Sequence, residues 1–176
     1  LTGCGSGTLD AKEGAAQKIL LVGNGSDPRF MDPHLLNSVP EHHLLMSLFE
    51  GLVAEHPVKD AGVEPGMAER WEANADKSVW TFHLQKNAKW SDGAPFTAHD
   101  FVWSYRRMLR KELGAQYAEM LYLLKNGLSL YEGKVKEEEL GARALDDDTL
   151  ELTLIGPTPH FPLIACHTSW WPVPRH

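Results

Sequence analysis

Four places in this sequence carry the residue types that chemistry needs. The stretch VWTFHLQKNAKW, Val79 to Trp90, sets His83 among Trp80, Phe82 and Trp90, with Lys86 and Lys89 close by. Aromatics interleaved with lysines could stack bases and hold phosphates, and a histidine between Phe82 and Leu84 could bind a metal or shuttle a proton. His42 and His43 are adjacent, Asp146, Asp147 and Asp148 are consecutive, and GNGS, Gly23 to Ser26, has the glycines of a phosphate loop.

Each of these has a plainer reading. The 176 residues carry 17 Lys and Arg against 24 Asp and Glu, a net charge of −7, and a phosphate-backbone partner normally demands a basic face. Adjacent histidines on a helix cannot point the same way, so His42 and His43 would need metal ligands from elsewhere. The three acids lack the glycine and the closing glutamate of an EF-hand loop and fit a turn. GNGS has no third glycine and leads into DPRFMDPH, not into a helix, which leaves phosphate binding there with little support. No GxSxG, HExxH, P-loop or CxxC occurs, and the nine histidines are scattered. The residues name no catalytic group, no metal set and no cofactor.

The elements that must position these groups follow from periodicity. Ile19 to Val22, stopped by Gly23 and Gly25, reads as a short buried strand. In NSVPEHHLLMSLFEGLV, Ser38 and Glu41 have capping-box spacing, Pro40 fits a first turn, and Leu44, Leu45, Leu48 and Phe49 give one apolar face ending at Gly51. PGMAERWEANADKS reads as linker and turn. Trp80, Phe82 and Leu84 share one parity and Val79, Thr81 and His83 the other, which is a half-buried strand with its aromatics on the core and His83 opposite. Asp92-Gly93 and Pro95 make a turn. Thr97 and Asp100 cap a helix whose buried stripe is Phe101, Val102, Tyr105, Met108 and Leu109. Arg106, Arg107, Arg110 and Lys111 crowd its second half, as the helix dipole favours. AQYAEMLYLLKN predicts a further helix and KEEELG one more turn. ARALDDDTLELTLIGPTP predicts a hairpin turning at Asp146 to Asp148, with Leu150, Leu152 and Leu154 inward. Five prolines from Pro157 to Pro174 exclude long elements in the tail.

The two cysteines are far apart and differ in kind. Cys166, in LIACH, reads as an inert buried thiol. Cys4 ends LTGC, which is similar to the lipobox of bacterial lipoproteins and is followed by the small polar run GSGTLDAKEGAAQ. Lipidation at Cys4 would tether the protein to a membrane through acyl chains, with that run as a leash. No stretch of 18 apolar residues is present to span a bilayer.

Taken in order, DPHLLNSVPEHHLLMSLFEGLV, PGMAERWE, VWTFHLQKNAKWSDGAPFTAHDFVWSYRRML and LGARALDDDTLELTL closely resemble the extracytoplasmic oligopeptide-binding proteins of ABC importers. That solute-binding family also includes dipeptide and nickel binders. The resemblance runs from Ile19 to Pro174, with one departure at Gln85, which stands before Lys86 where the family's strand usually ends in a basic residue. It implies an α/β (mixed α+β) fold, a periplasmic-binding-protein-like type II clamshell, of which this chain is the N-terminal part. The expected division is a lipobox remnant and tether over 1–17, the start of the ligand-binding lobe over 18–50, a small extra α/β domain over 51–165, and a return toward the first lobe over 166–176 where the chain is truncated.

The resemblance also implies a function. A member of this family captures oligopeptides at the extracytoplasmic face and docks, as a monomer, on an ABC permease with its ATPase subunits. Asn37, Ser38 and Val39 match a segment that offers its backbone to the peptide in β fashion, so main-chain hydrogen bonds give affinity without reading side chains. Asn37 stands where relatives have an acid. Tyr117 matches a tyrosine reaching the ligand cleft, the alternative being a packed helix aromatic. A nickel or metal-chelate carrier of the same family is the runner-up, and a cell-envelope hydrolase comes last.

Overall fold

In the computed structural model the described residues are 9–60 and 62–176, and Cys4, the expected lipidation point, lies outside them. The centre is a four-stranded antiparallel sheet of β3 (Ala68–Ala73), β4 (Val79–Leu84), β5 (Ala142–Asp146) and β6 (Thr149–Thr153), in the order β3-β4-β6-β5. β1 (Val53–Glu55) and β2 (Val63–Pro65) form a separate two-stranded ladder.

β4 is the strand its parity predicts. Trp80, Phe82 and Leu84 are buried, while Val79, Thr81 and His83 are half-buried. Its neighbour β6 places Leu152 opposite Trp80 and Leu150 opposite Phe82, so both strands turn the same face to the core. The hairpin expected at Asp146 to Asp148 is present, with the Asp146 side chain accepting from the Asp148 N–H at 2.9 Å. Against this face lies α3 (Ala98–Met108), whose Phe101, Val102, Tyr105 and Met108 are buried together with Phe161 and Trp170. Its cap rests mainly on Asp100, whose Oδ2 accepts from the Thr97 N–H at 2.8 Å. The aromatics interlock edge to face, Phe82 on Phe161 at 6.2 Å and Phe161 on Trp170 at 5.0 Å, a geometry that the ring quadrupole favours.

Several expectations are corrected. Ile19 to Val22 is no strand: among the described residues no strand pairs with it, and Leu20 and Val22 are 86% and 78% exposed. The segment read as linker contains β3, an edge strand whose charged residues Glu69, Arg70 and Glu72 disguised it. Edge strands carry such charges because they discourage pairing with other chains. The run expected to be a leash contains a short helix, α1 (Ala11–Ala16), capped by Asp10. α2 (Val39–Leu45) begins after Ser38 as expected, but without the capping box. Ser38 makes no side-chain cap, and Glu41 instead accepts from the Arg29 N–H at 2.8 Å. The helix ends at Leu45, short of the Gly51 stop expected for it, and of its expected apolar face Leu45 is fully buried while Leu48, past the helix end, is exposed. The helix expected around Tyr117 is a 3-10 run, Ala118–Leu123, followed by a short α4 (Gly127–Tyr131). The single turn predicted at KEEELG is a 3-10 turn, Glu137–Glu139. In the proline-rich tail only a short α5 (Phe161–Ile164) and a 3-10 turn, Thr168–Trp170, form, and they complete the core with Trp170.

Candidate functional site

Where α2 ends and β1 begins, the chain faces the tail, and between them opens a cleft of about 910 Å³. His42 and Met46 line it from α2, Met120 from the 3-10 run, and Cys166, His167 and Trp171 from the tail. Asn37, Ser38 and Val39 do not line the cleft. They lead into it, with the Ser38 carbonyl accepting from the His42 N–H at 3.2 Å one turn on. Ser38 is extended, at φ −139° and ψ 157°. Asn37 and Val39 are exposed, and the N–H groups of Asn37, Ser38 and Val39 make no hydrogen bond with another described residue. A strand-like backbone with unpaired donors is what β-style capture of a peptide requires.

Tyr117 is brought to the same place from the other side. Its ring stands edge-on to His167, centroids 5.2 Å apart, and it is 37% exposed. It is therefore no buried helix aromatic. His167 is a residue that sequence reasoning missed, because a lone histidine between a cysteine and a threonine has no spacing signal. Its Nδ1 accepts from the Ser169 N–H at 3.2 Å, which places the proton of the neutral ring on Nε2. Burial, with His42 close by, lowers its pKa and favours that neutral form. The ring thus presents one N–H donor at the cleft. Trp171 is fixed nearby by its indole N–H on the Cys166 carbonyl at 3.2 Å.

The thiol of Cys166 is half-buried and touches the cleft, where full burial was expected. It is chemically quiet all the same. Burial and the nearby Glu55 push it up to about 11, and Sγ sits 3.5 Å from the Pro162 carbonyl, so the thiolate that a nucleophile needs is disfavoured.

Behind the cleft a polar cluster joins the two walls. Arg107 donates from Nη1 and Nη2 to the two carboxylate oxygens of Asp32, at 3.2 and 2.5 Å, and from Nη1 to Nδ1 of His34 at 2.9 Å. Nε2 of His34 lies 3.1 Å from the Trp171 carbonyl. Since a carbonyl only accepts, His34 carries its proton on Nε2 and accepts Arg107 at Nδ1. Burial pushes the ring down to about 4, which keeps it neutral. Partial burial would raise the Asp32 carboxyl, but the Arg107 hydrogen bond and the His34 N–H outweigh it and the pKa is lowered.

The other groups that raised chemical questions fall away from the cleft. His83 donates from Nε2 to the Glu72 carboxylate at 2.8 Å on the outer face of the sheet. Gly23 to Ser26 forms an exposed loop. Arg110, just beyond α3, pairs with Glu137 at 3.1 Å. Among the described residues no three His, Cys, Asp or Glu side chains stand close enough to hold a metal ion, and no helix is long and apolar enough to cross a membrane.

This combination of antiparallel sheet, covering helix and cleft places the chain in a class. It belongs to the bacterial extracellular solute-binding proteins, family 5, whose middle region matches residues 62–174. The periplasmic oligopeptide-binding protein OppA of Salmonella typhimurium is 44% identical over 167 residues, covering 92% of this chain and 30% of that protein. The dipeptide-binding protein DppE of Bacillus subtilis is 34% identical over 180 residues, 98% of this chain and 33% of its own length. Haemophilus influenzae OppA, solved in complex with RPPGFSPFR, superposes with a TM-score of 0.81 at 40% identity over 86% of this chain and 30% of its own. The Escherichia coli murein tripeptide binding protein MppA gives 0.77 at 34% identity, over 84% and 29%. The chain thus spans about 30% of the length of the relatives it matches first. The expected mixed α/β fold holds for the described residues.

Proposed function

We propose that the protein to which this chain belongs captures oligopeptides outside the cytoplasm and hands them to an ABC permease. Asn37, Ser38 and Val39 bind the peptide main chain, and Tyr117 contacts it across the cleft. The observation that carries this reading is the extended Ser38 that leads into α2 beside the cleft, with the N–H groups of Asn37, Ser38 and Val39 unpaired among the described residues. Recognition through the main chain suits a carrier of varied sequences. The relatives supply the ligand class, since those named above are described as binding oligopeptides, a dipeptide or a murein peptide.

Within that reading, residues 18–50 begin the ligand-binding lobe, 51–165 form the small extra domain and 166–176 return to the first lobe. Cys4, in LTGC, carries the acyl chains that tether the protein at the extracytoplasmic face of the membrane, and it acts as a monomer. Its work is capture and lobe closure with no bond-making step.

Native mass spectrometry and calorimetry on the full-length protein, against tri- to pentapeptides and against Ni²⁺, test the reading. Retained, chemically unchanged peptide is the expected result. Retention of Ni²⁺ without peptide would sink it in favour of the metal carrier, and hydrolysis of the peptide would point to an enzyme.

A further inference from the structure

We infer that Asp32, His34 and Arg107 are positioning residues for the ligand wall. They hold the Asn37–Val39 segment and the Trp171 segment in one fixed relation on the back of the cleft. The inference rests on the peptide-binding reading only for what the wall contacts; the positioning itself is a property of this chain.

The geometry is a closed loop of contacts between three stretches far apart in sequence. α3 supplies Arg107, the lead-in to α2 supplies Asp32 and His34, and the tail supplies the Trp171 carbonyl. His34 is 1% exposed, and both of its ring nitrogens are engaged, one from each side. The tail is itself registered on α3. Ser104 Oγ accepts from the Val173 N–H at 2.8 Å, the Tyr105 hydroxyl donates to the Trp170 carbonyl at 3.2 Å, and Arg175 meets Asp100 at 3.3 Å. α3 therefore serves as the template, and His34 is the piece that ties the lead-in of α2 to what α3 already holds.

Apolar packing is a weak substitute for this tie. Among the described residues the cluster beneath α2 has Leu36, Leu45 and Trp171 as its buried members, with Phe49 at its margin. Leu36 stands two residues after His34 and immediately before Asn37, so a movement of His34 reaches the ligand segment directly. A hydrogen-bonded network with discrete partners defines one arrangement where so few apolar contacts would tolerate several.

The test uses the full-length protein and two substitutions. Arg107→Lys keeps charge and stem but loses the fork that grips Asp32 and His34 together. His34→Gln keeps a donor for Trp171 but places its one acceptor oxygen away from the Nδ1 position that Arg107 reaches. Amide hydrogen exchange without ligand is read at His42, Met46 and Phe49, with Thr81 and Phe82 in β4 as reference. Exchange at the α2 amides should rise about tenfold or more in both variants while β4 is unchanged. Affinity for a defined alanine tetrapeptide should weaken about tenfold. An equal rise in β4 would mean a merely structural role, and no rise anywhere would mean no role; either overturns the inference. A local rise with unchanged affinity, in a wild type that binds the peptide, overturns it as well. If the wild type binds no peptide, the functional reading fails, and the exchange pattern still decides whether the triad fixes the wall.

Discussion

The ring of Tyr117 stands edge-on to His167 at 5.2 Å, and through this contact the 3-10 run and the tail meet at the cleft. Edge-to-face aromatic pairs contribute about 0.5–1.5 kcal/mol beyond their buried area. Tyr117→Phe keeps that contact and removes only the hydroxyl, whereas Tyr117→Ala removes both. Calorimetry on the full-length protein should show Tyr117→Ala weakening peptide binding by roughly three- to tenfold, in line with that range. Tyr117→Phe then reports how much of the loss belongs to the hydroxyl. Equal affinity for wild type and Tyr117→Ala would remove Tyr117 from the site.

Val39 offers a way to delete one backbone donor without touching a side-chain contact. It is the first residue of α2, a position where proline is at home, and Ser38 before it is already extended, as a residue preceding proline must be. Val39→Pro should leave stability within about 0.5 kcal/mol. If the Val39 N–H binds the peptide main chain, the ligand loses a hydrogen bond and affinity should fall on the order of 5- to 100-fold, the equivalent of about 1–3 kcal/mol. Unchanged affinity would show that capture does not use this N–H.

Gly51 bears on the floor of the cleft. A Cβ there would stand 2.7 Å from Cδ1 and 2.8 Å from Nε1 of the Trp171 indole. That ring cannot swing aside freely, because its N–H is bonded to the Cys166 carbonyl. Gly51→Ala should destabilise by about 1–3 kcal/mol through overpacking. Gly23, where an added Cβ would meet nothing within 4 Å, is the control, and Gly23→Ala should stay within about 0.5 kcal/mol. Denaturant unfolding of both variants checks the contrast.

The sheet and its covering helix were legible in the sequence because their burial is periodic. Trp80, Phe82 and Leu84 declare β4, the stripe from Phe101 to Met108 declares α3, and DDD between leucines declares the hairpin. Local signals misled where a distant partner decides. Ser38 and Glu41 have capping-box spacing, but the Arg29 N–H takes the Glu41 carboxylate. Ile19 to Val22 is apolar enough for a strand, yet a strand exists only where another backbone pairs with it. β3 hid behind the charges of an edge. Of the site, Asn37 to Val39 and Tyr117 came from family resemblance and not from spacing. His167 and the Asp32–Arg107–His34 cluster were invisible, since their members are 75, 73 and 137 residues from their partners or bear no motif.

The same cluster sets a pH dependence. His34 in the folded chain is pushed from 6.5 down to about 4 by burial, so between those values the unfolded chain binds a proton that the folded chain refuses. Stability therefore rises with pH across that window: the neutral-ring network is intact above 6.5 and is progressively penalised as pH falls toward 4. The full difference is on the order of 3 kcal/mol at 1.36 kcal/mol per pKa unit. His167, also lowered, adds a slope of the same sign. Asp32 acts at lower pH, because its depressed carboxyl costs stability only as pH falls through the carboxylate range. Unfolding free energies measured at half-unit steps from about pH 4 to 7, for wild type and for His34→Gln, separate these contributions. Subtracting the variant leaves the His34 part, which should be nearly flat above 6.5 and fall steadily below it. A difference curve that is flat throughout would mean that burial does not hold the His34 ring neutral in the folded chain.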